Sequence, residues 1–224
     1  MKLSELFYSI QGEGTLAGVP SVFIRTTGCN LRCAWCDTPY TSWKPEGKDY
    51  SLDEIAGYVA EHSKGHTVVT GGEPMIAPGI VELTERLAEA GEHITVETAG
   101  TVFQPVACDL MSISPKLANS TPDDPQWNKQ HERLRIQPDV LQRLMNEYPY
   151  QLKFVVASDA DLPEIHTLVR QLNADPAQVL LMPEGVDREK LRERGRWLAE
   201  VAKREGFRFS PRLHVELYGN ERGT

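Results

Sequence analysis

No run of about 18 apolar residues occurs anywhere in the chain, so no membrane-spanning helix is expected. The opening residues, Met1 to Tyr8, include Lys2 and Glu5 and lack the continuous apolar stretch of a secretory leader, which makes the cytosol the expected compartment. Positive charge is scarce too: 24 basic residues stand against 32 acidic ones, a net charge of −8. Nucleic acid is therefore not an expected partner, because phosphate binding needs a basic stripe. The arginines between Arg188 and Arg204 do not make one. Glu189, Glu193, Glu200 and Glu205 are interleaved with them, and the stretch reads as a solvated helix face. Cysteine is rare, with four in 224 residues. A reducing compartment argues against structural disulfides, so thiols that cluster there point to metal or redox work. Internal repeats and low-complexity segments are absent.

What is present is an ordinary globular composition, 40% hydrophobic and 25% charged, and an alternation of two local patterns. Short apolar, β-branched runs predict strands at Ser21–Thr26, His66–Thr70, Ile94–Thr98, Cys108–Ile113, Gln151–Val156 and Gln178–Met182, with a further candidate at Phe207–Ser210. Helical periodicity predicts helices at Ser51–His62, Gly79–Ala90, Pro138–Glu147, Leu162–Leu172 and Asp187–Glu205. Ser51 and Glu54 make a capping box ahead of Ile55 and Val59. Alternation of this kind means parallel strands joined by helical crossovers. Six units in about 200 residues suit an incomplete, modified (β/α)6 barrel, one domain over residues 1–224, better than a closed eightfold barrel. A flat doubly wound sheet is the alternative. The Pro- and Asp-rich stretch from Leu117 to Gln130, about 117–137 with its flanks, reads as a long irregular loop.

The chemistry is concentrated in Cys29-Asn-Leu-Arg-Cys33-Ala-Trp-Cys36. Three thiols this close can wrap one face of a [4Fe-4S] cluster and leave the fourth iron open to an external chelating ligand. A structural zinc site usually wants four closed ligands, and this loop has neither a histidine nor a second cysteine pair. Four-cysteine ferredoxin ligation needs another nearby thiol. Cys108 lies in an apolar run and reads as a small buried residue. The loop follows the strand containing Val22-Phe-Ile-Arg-Thr26, and in β/α barrels chemistry sits on loops after strand ends.

This cysteine spacing resembles the cluster motif of the radical S-adenosylmethionine (SAM) superfamily. Further segments narrow the likeness to the 7-carboxy-7-deazaguanine synthase family: Tyr8-Ser-Ile-Gln-Gly-Glu-Gly14, Phe23-Ile-Arg-Thr-Thr-Gly-Cys29, Cys36-Asp-Thr38, Thr70-Gly-Gly-Glu-Pro74, Val96-Glu-Thr-Ala-Gly100, Ser114-Pro-Lys116 and the tail from His214 to Thr224. The resemblance runs end to end and is thinnest across Leu117–Tyr150. It implies conversion of 6-carboxy-5,6,7,8-tetrahydropterin to 7-carboxy-7-deazaguanine with loss of ammonia. The implied cofactors are a [4Fe-4S] cluster, SAM and Mg2+. The implied partners are the small pterin, an electron donor such as flavodoxin or ferredoxin, and a second copy of the chain. In the family, a 5′-deoxyadenosyl radical takes hydrogen from the pterin, the six-membered ring contracts, and SAM is recycled.

The same resemblance assigns residues. Cys29, Cys33 and Cys36 hold the cluster and the Thr38 hydroxyl holds magnesium. Trp35, Cys36, Asp37, Gly72, Glu73, Glu97, Ser114, Pro115 and Lys116 meet SAM: Glu73 its amino group, Glu97 its ribose and Lys116 its carboxylate. Ile10, Gln11, Gly12, Glu13, Arg25, Thr70, Gly71 and His214 meet the pterin, with Arg25 forked onto its carboxylate and the tail at about 211–224 capping it. The segment Met182-Pro-Glu-Gly185 departs from the family pattern, and Met182 receives no role. Two other functions share some of these features: an activating enzyme that installs a glycyl radical on a partner protein, and a small metal-binding interaction module.

Overall fold

A computed structural model describes residues 1–224. The expected strands form at β2 (Pro20–Thr26), β4 (His66–Gly71), β5 (His93–Thr98), β6 (Leu110–Ile113), β7 (Tyr150–Val156) and β8 (Val179–Pro183). All six are neighbours in that order and pair in parallel. Among these six the order never reverses, so no doubly wound switch point exists and the parallel part of the sheet is an open, incomplete (β/α)6 barrel. The candidate strand near Phe207 shrinks to β9 (Arg208–Phe209), which pairs in parallel on β8. Two strands were not expected. β1 (Lys2–Ile10) pairs antiparallel with β2, and the short β3 (Lys48–Asp49) pairs with β1. Lys2, Ser4 and Glu5 break up the apolar pattern of β1, which hides it from a search for apolar runs.

After a one-turn α1 (Pro39–Ser42), helices α2 (Leu52–His62), α3 (Ile80–Glu89), α5 (Pro138–Glu147), α6 (Leu162–Gln171) and α7 (Arg188–Glu205) lie within a residue or two of expectation. The Ser51–Glu54 capping box is formed, a feature worth about 1 kcal/mol. The stretch expected to be irregular is not. Asp124 caps a ten-residue helix, α4 (Pro125–Leu134), with Pro125 in its first turn. Its mean polarity conceals it from a search for an apolar stripe, because His131 is its one fully buried side chain.

Strand alternation sorts side chains between two faces. Val22, Ile24, Val69, Ile94, Val96, Met111, Ile113, Leu152, Phe154, Val179 and Leu181 join the core shared with the helices. The intervening residues Arg25, Thr70, Glu97, Ser112, Lys153 and Met182 face the other way, into a cavity. One face is therefore packed and the other left polar for chemistry.

His66 and His131, given no function on sequence, are internal braces. His66 is 5% exposed, with Nδ1 2.5 Å from Ser21 Oγ and Nε2 3.0 Å from Thr95 Oγ1. In His131, Nδ1 accepts from the Arg32 backbone N–H at 3.2 Å and Nε2 lies 2.9 Å from Ser120 Oγ. A second ring proton on His131 would face the Arg32 donor. Burial pushes both histidines down to about 4 from the ordinary 6.5. As pH falls below 6.5 the unfolded chain takes up protons that the folded chain refuses. The stabilisation is full above 6.5 and is lost between 6.5 and 4, up to about 3 kcal/mol for each ring. Urea midpoints measured across that range should fall with acidity in the wild type, and the fall should flatten in a His66→Gln, His131→Gln variant. An unchanged slope would assign the acid sensitivity to other groups.

Candidate active site

A cavity of about 450 Å3 opens at the carboxyl ends of the parallel strands, within the range of small-molecule sites. All the residues that the resemblance assigns to the pterin, Ile10, Gln11, Gly12, Glu13, Arg25, Thr70, Gly71 and His214, line it. Of those it assigns to the cluster, SAM and magnesium, Cys29, Cys33, Trp35, Cys36, Asp37, Thr38, Gly72, Glu97, Ser114 and Lys116 line it too. Residues far apart in the chain thus meet in one place. Glu73 and Pro115 do not line it.

Close packing holds the cysteine loop against the end of β4. The Glu73 backbone N–H donates to Gly28 O at 2.9 Å. A Cβ on Gly72 would stand 2.2 Å from that same Gly28 oxygen, so no larger residue fits without moving the loop. From the other side, Ala34 N–H donates to Ser120 O at 2.8 Å and Trp35 Nε1 to Asn119 O at 3.0 Å. Arg32 stacks over the Trp127 ring at 4.3 Å. Part of the stretch where the sequence resemblance is thinnest, Leu117–Tyr150, is therefore a brace for the cysteine loop. Cys29 and Cys33 are desolvated enough that their thiols are pushed up to about 12. They stay neutral until a metal supplies positive charge, as expected of ligands whose metal binding releases protons. Cys108 lies outside the cavity, with Sγ 3.7 Å from Ile94 O.

The carboxylate of Glu73 is turned into the protein. It is 0% exposed and accepts from Thr98 Oγ1 at 2.7 Å, Ala99 N at 2.9 Å and Met75 N at 3.1 Å. It ties the end of β4 to the end of β5 and stands behind the cavity lining. Pro115 is likewise packed away from the cavity. Glu97 does reach the cavity, where it accepts from Gln11 Nε2 at 3.0 Å and Thr70 Oγ1 at 2.9 Å, two residues the resemblance assigns to the pterin.

Several lining residues had no role on sequence. Lys153, 4% exposed on β7, is ion-paired with Glu13. Burial alone would raise the Glu13 carboxyl, but the Lys153 and Arg212 cations outweigh it and hold the group well below the usual carboxylate range. Burial would lower the Lys153 ammonium, and Glu13 and Glu97 reverse that, so it stays charged. Arg212 bridges Glu13 and Asp37. A signal for Lys153 was available: Gln151 and Lys153 alternate with Leu152 and Phe154, which marks a polar face on an otherwise apolar strand. Arg212, Met182 and Tyr40 reach the cavity only through the fold, and Asn220–Thr224, part of the tail expected to cap the pterin, lie on it too. Arg25 does not stand free. Its Nε lies 2.6 Å from Glu5 Oε2, and Glu5 also accepts from Tyr40 Oη at 2.7 Å and Gly223 N at 3.0 Å.

Comparison with known proteins agrees with this geometry. A family model described as the radical SAM superfamily matches residues 23–119. A Rhodopirellula baltica protein named 7-carboxy-7-deazaguanine synthase is 47% identical over 99% of this chain and 88% of its own length. A Halobacterium salinarum protein of the same name is 44% identical over 98% of this chain and 91% of its own. The crystal structure of QueE from Escherichia coli superposes with a TM-score of 0.71 at 26% identity, covering 95% of this chain and 94% of that one. Relatedness at this level spans the cysteine loop, the strand-end motifs and the tail together, and the chain belongs to the 7-carboxy-7-deazaguanine synthase family of radical SAM enzymes.

Proposed function

We propose that the cavity binds 6-carboxy-5,6,7,8-tetrahydropterin and converts it to 7-carboxy-7-deazaguanine with release of ammonia. One observation carries the reading: three thiols and a set of fixed opposite charges, Glu13, Arg25 and Lys153, line the same cavity. The donor set fits the family's cluster. Cys29, Cys33 and Cys36 would hold it, and no fourth thiol reaches the cavity to close the last iron. The Leu31 N–H already donates to Cys29 Sγ at 3.4 Å, a contact that tunes such ligands. Bound there, the [4Fe-4S] cluster and SAM supply one-electron chemistry that ends in hydrogen abstraction.

The chain does the rest. Lys116, whose Nζ donates to Ser114 Oγ at 2.9 Å, offers a positive charge to the SAM carboxylate. Met182 offers apolar contact beside it. Thr38 supplies an oxygen for magnesium, completed by substrate oxygens and water. Phe7 and Phe23, stacked at 5.0 Å, form a flat wall. Glu13, kept ionised, can only accept, and so reads N–H donors of the pterin ring. Arg25 presents its fork to the pterin carboxylate while Glu5 holds it from behind. Further parts of the proposal, a flavodoxin- or ferredoxin-type electron donor and a homodimer, are supported by family resemblance. No helix is long and apolar enough to cross a membrane.

The test is anaerobic turnover with SAM, a reductant and the carboxylated pterin. Product from the free pterin, with no added protein substrate, is expected and excludes the activating-enzyme reading. A brown protein excludes the zinc module. Arg25→Lys keeps the charge but loses the fork, so the apparent KM for the pterin should rise about tenfold with a much smaller change in kcat. Wild-type kinetics for that variant would remove Arg25 from the carboxylate.

A further inference from the structure

Beyond the expected capping tail in which it lies, Arg212 has no individual role on sequence, yet its guanidinium reaches three separate segments. The side chain is 7% exposed. Nε donates to Glu13 Oε1 at 3.1 Å, Nη1 donates to the Gly185 carbonyl at 2.5 Å, and Nη2 donates to Asp37. Glu13 belongs to the loop after β1 and Gly185 to the loop after β8. Asp37 directly follows Cys36.

The neighbouring backbone repeats the attachment. Leu213 N–H donates to Gly12 O at 2.8 Å. A Cβ on Gly12 would meet His214 Nδ1 at 2.0 Å, so the two segments touch with no room to slide. Burying a guanidinium is costly unless its charge is matched and its donors are used. Here both matching carboxylates line the cavity. A planar fork can hold three acceptors at fixed angles, whereas an ammonium is a single flexible point.

We propose that Arg212 is a positioning residue that keeps the pterin loop, through Glu13, in register with the cluster loop, through Asp37. Hydrogen abstraction is then aimed at one atom of the substrate. The idea deepens the pterin reading above and rests on it. Its physical basis is that a misplacement of about 1 Å between reacting groups can cost about a hundredfold in rate.

Two variants test it, Arg212→Lys and Asp37→Asn. In the cluster-free chain, amide hydrogen exchange around Gly12–Gly14 and Asp37–Ser42 should quicken about tenfold in Arg212→Lys, with the central strands unchanged. Asp37→Asn should quicken the same two segments less. In the reconstituted protein, Arg212→Lys should retain wild-type iron. It should release 5′-deoxyadenosine in excess, with the ratio to deazaguanine product raised about tenfold. Wild-type exchange, protection lost evenly across the sheet, lost iron, or an unchanged ratio would each overturn the proposal. If the wild type makes no deazaguanine from the pterin, the substrate reading fails, while the exchange measurement still decides whether Arg212 ties the two loops.

Discussion

Cys33→Ala is expected to lose its bound iron and to bring deazaguanine formation below detection, while circular dichroism stays that of the folded chain. The site has three thiols and no spare. Cys29, Cys33 and Cys36 line one cavity, and Cys108 lies outside it against the core. Removing one ligand leaves two, too few to retain a cluster against solvent or chelator. The fold should tolerate the change. Cys33 is a small residue in a satellite packing group with Leu31 and Ala99, separate from the main core, and such a truncation costs about 1 kcal/mol. A loss of activity of at least about a thousandfold corresponds to about 4 kcal/mol of missing transition-state stabilisation, far more than the packing change. Iron analysis, visible absorption and product chromatography read the outcome. Cys108→Ala is the control and should keep its iron and its brown colour. Retention of iron by Cys33→Ala, or its loss from Cys108→Ala, would show that the ligands are not the three cysteines of the loop.

Lys153→Met should produce the largest loss of stability among substitutions facing the cavity, about 3 kcal/mol. Its ammonium is buried on β7 and paired with a carboxylate that is itself enclosed. Taking the cation away leaves Glu13 with Arg212 alone, and Arg212 is already shared with Asp37. In a chain of this size that loss lowers Tm by roughly 10 °C. Glu13→Gln combined with Lys153→Met should recover part of it, because two neutral side chains of similar volume need no charge compensation. The measurement is a double-mutant cycle from urea unfolding at neutral pH. Additive losses in that cycle would mean that the two side chains contribute independently and that the buried pair is not an energetic unit. Lys153→Met should also weaken pterin binding, since Glu13 would no longer be held in place.

Much of the scaffold was legible because it follows from local periodicity. The six parallel strands and the five helices α2, α3, α5, α6 and α7 announce themselves through β-branched runs and through apolar spacing that a helix or strand converts directly into a buried face. The two misreadings have local causes. β1 carries Lys2, Ser4 and Glu5, so its apolar signal is broken. α4 is almost wholly polar, because it packs on the cysteine loop through His131 and Trp127 and not through an aliphatic stripe. The direction of the Glu73 carboxylate was hidden for a similar reason. A carboxylate at a strand end looks alike in sequence whether it points at a ligand or at the N–H groups of the next strand, and here Thr98, Ala99 and Met75 claim it.

By itself the sequence determined which chemistry was available: three thiols at short spacing dictate a shared metal group, and strand alternation dictates that one face of the sheet be polar. These are properties of neighbours along the chain, and covalent connectivity carries them. Tertiary structure alone decided how the charges pair. Glu13 with Lys153, Arg212 with Asp37, and Glu5 with Arg25 are separated by between 20 and 175 positions. Whether such charges meet depends on how strands and loops close on one another in space, and burial, which sets the strength of each pair, does not exist until they do.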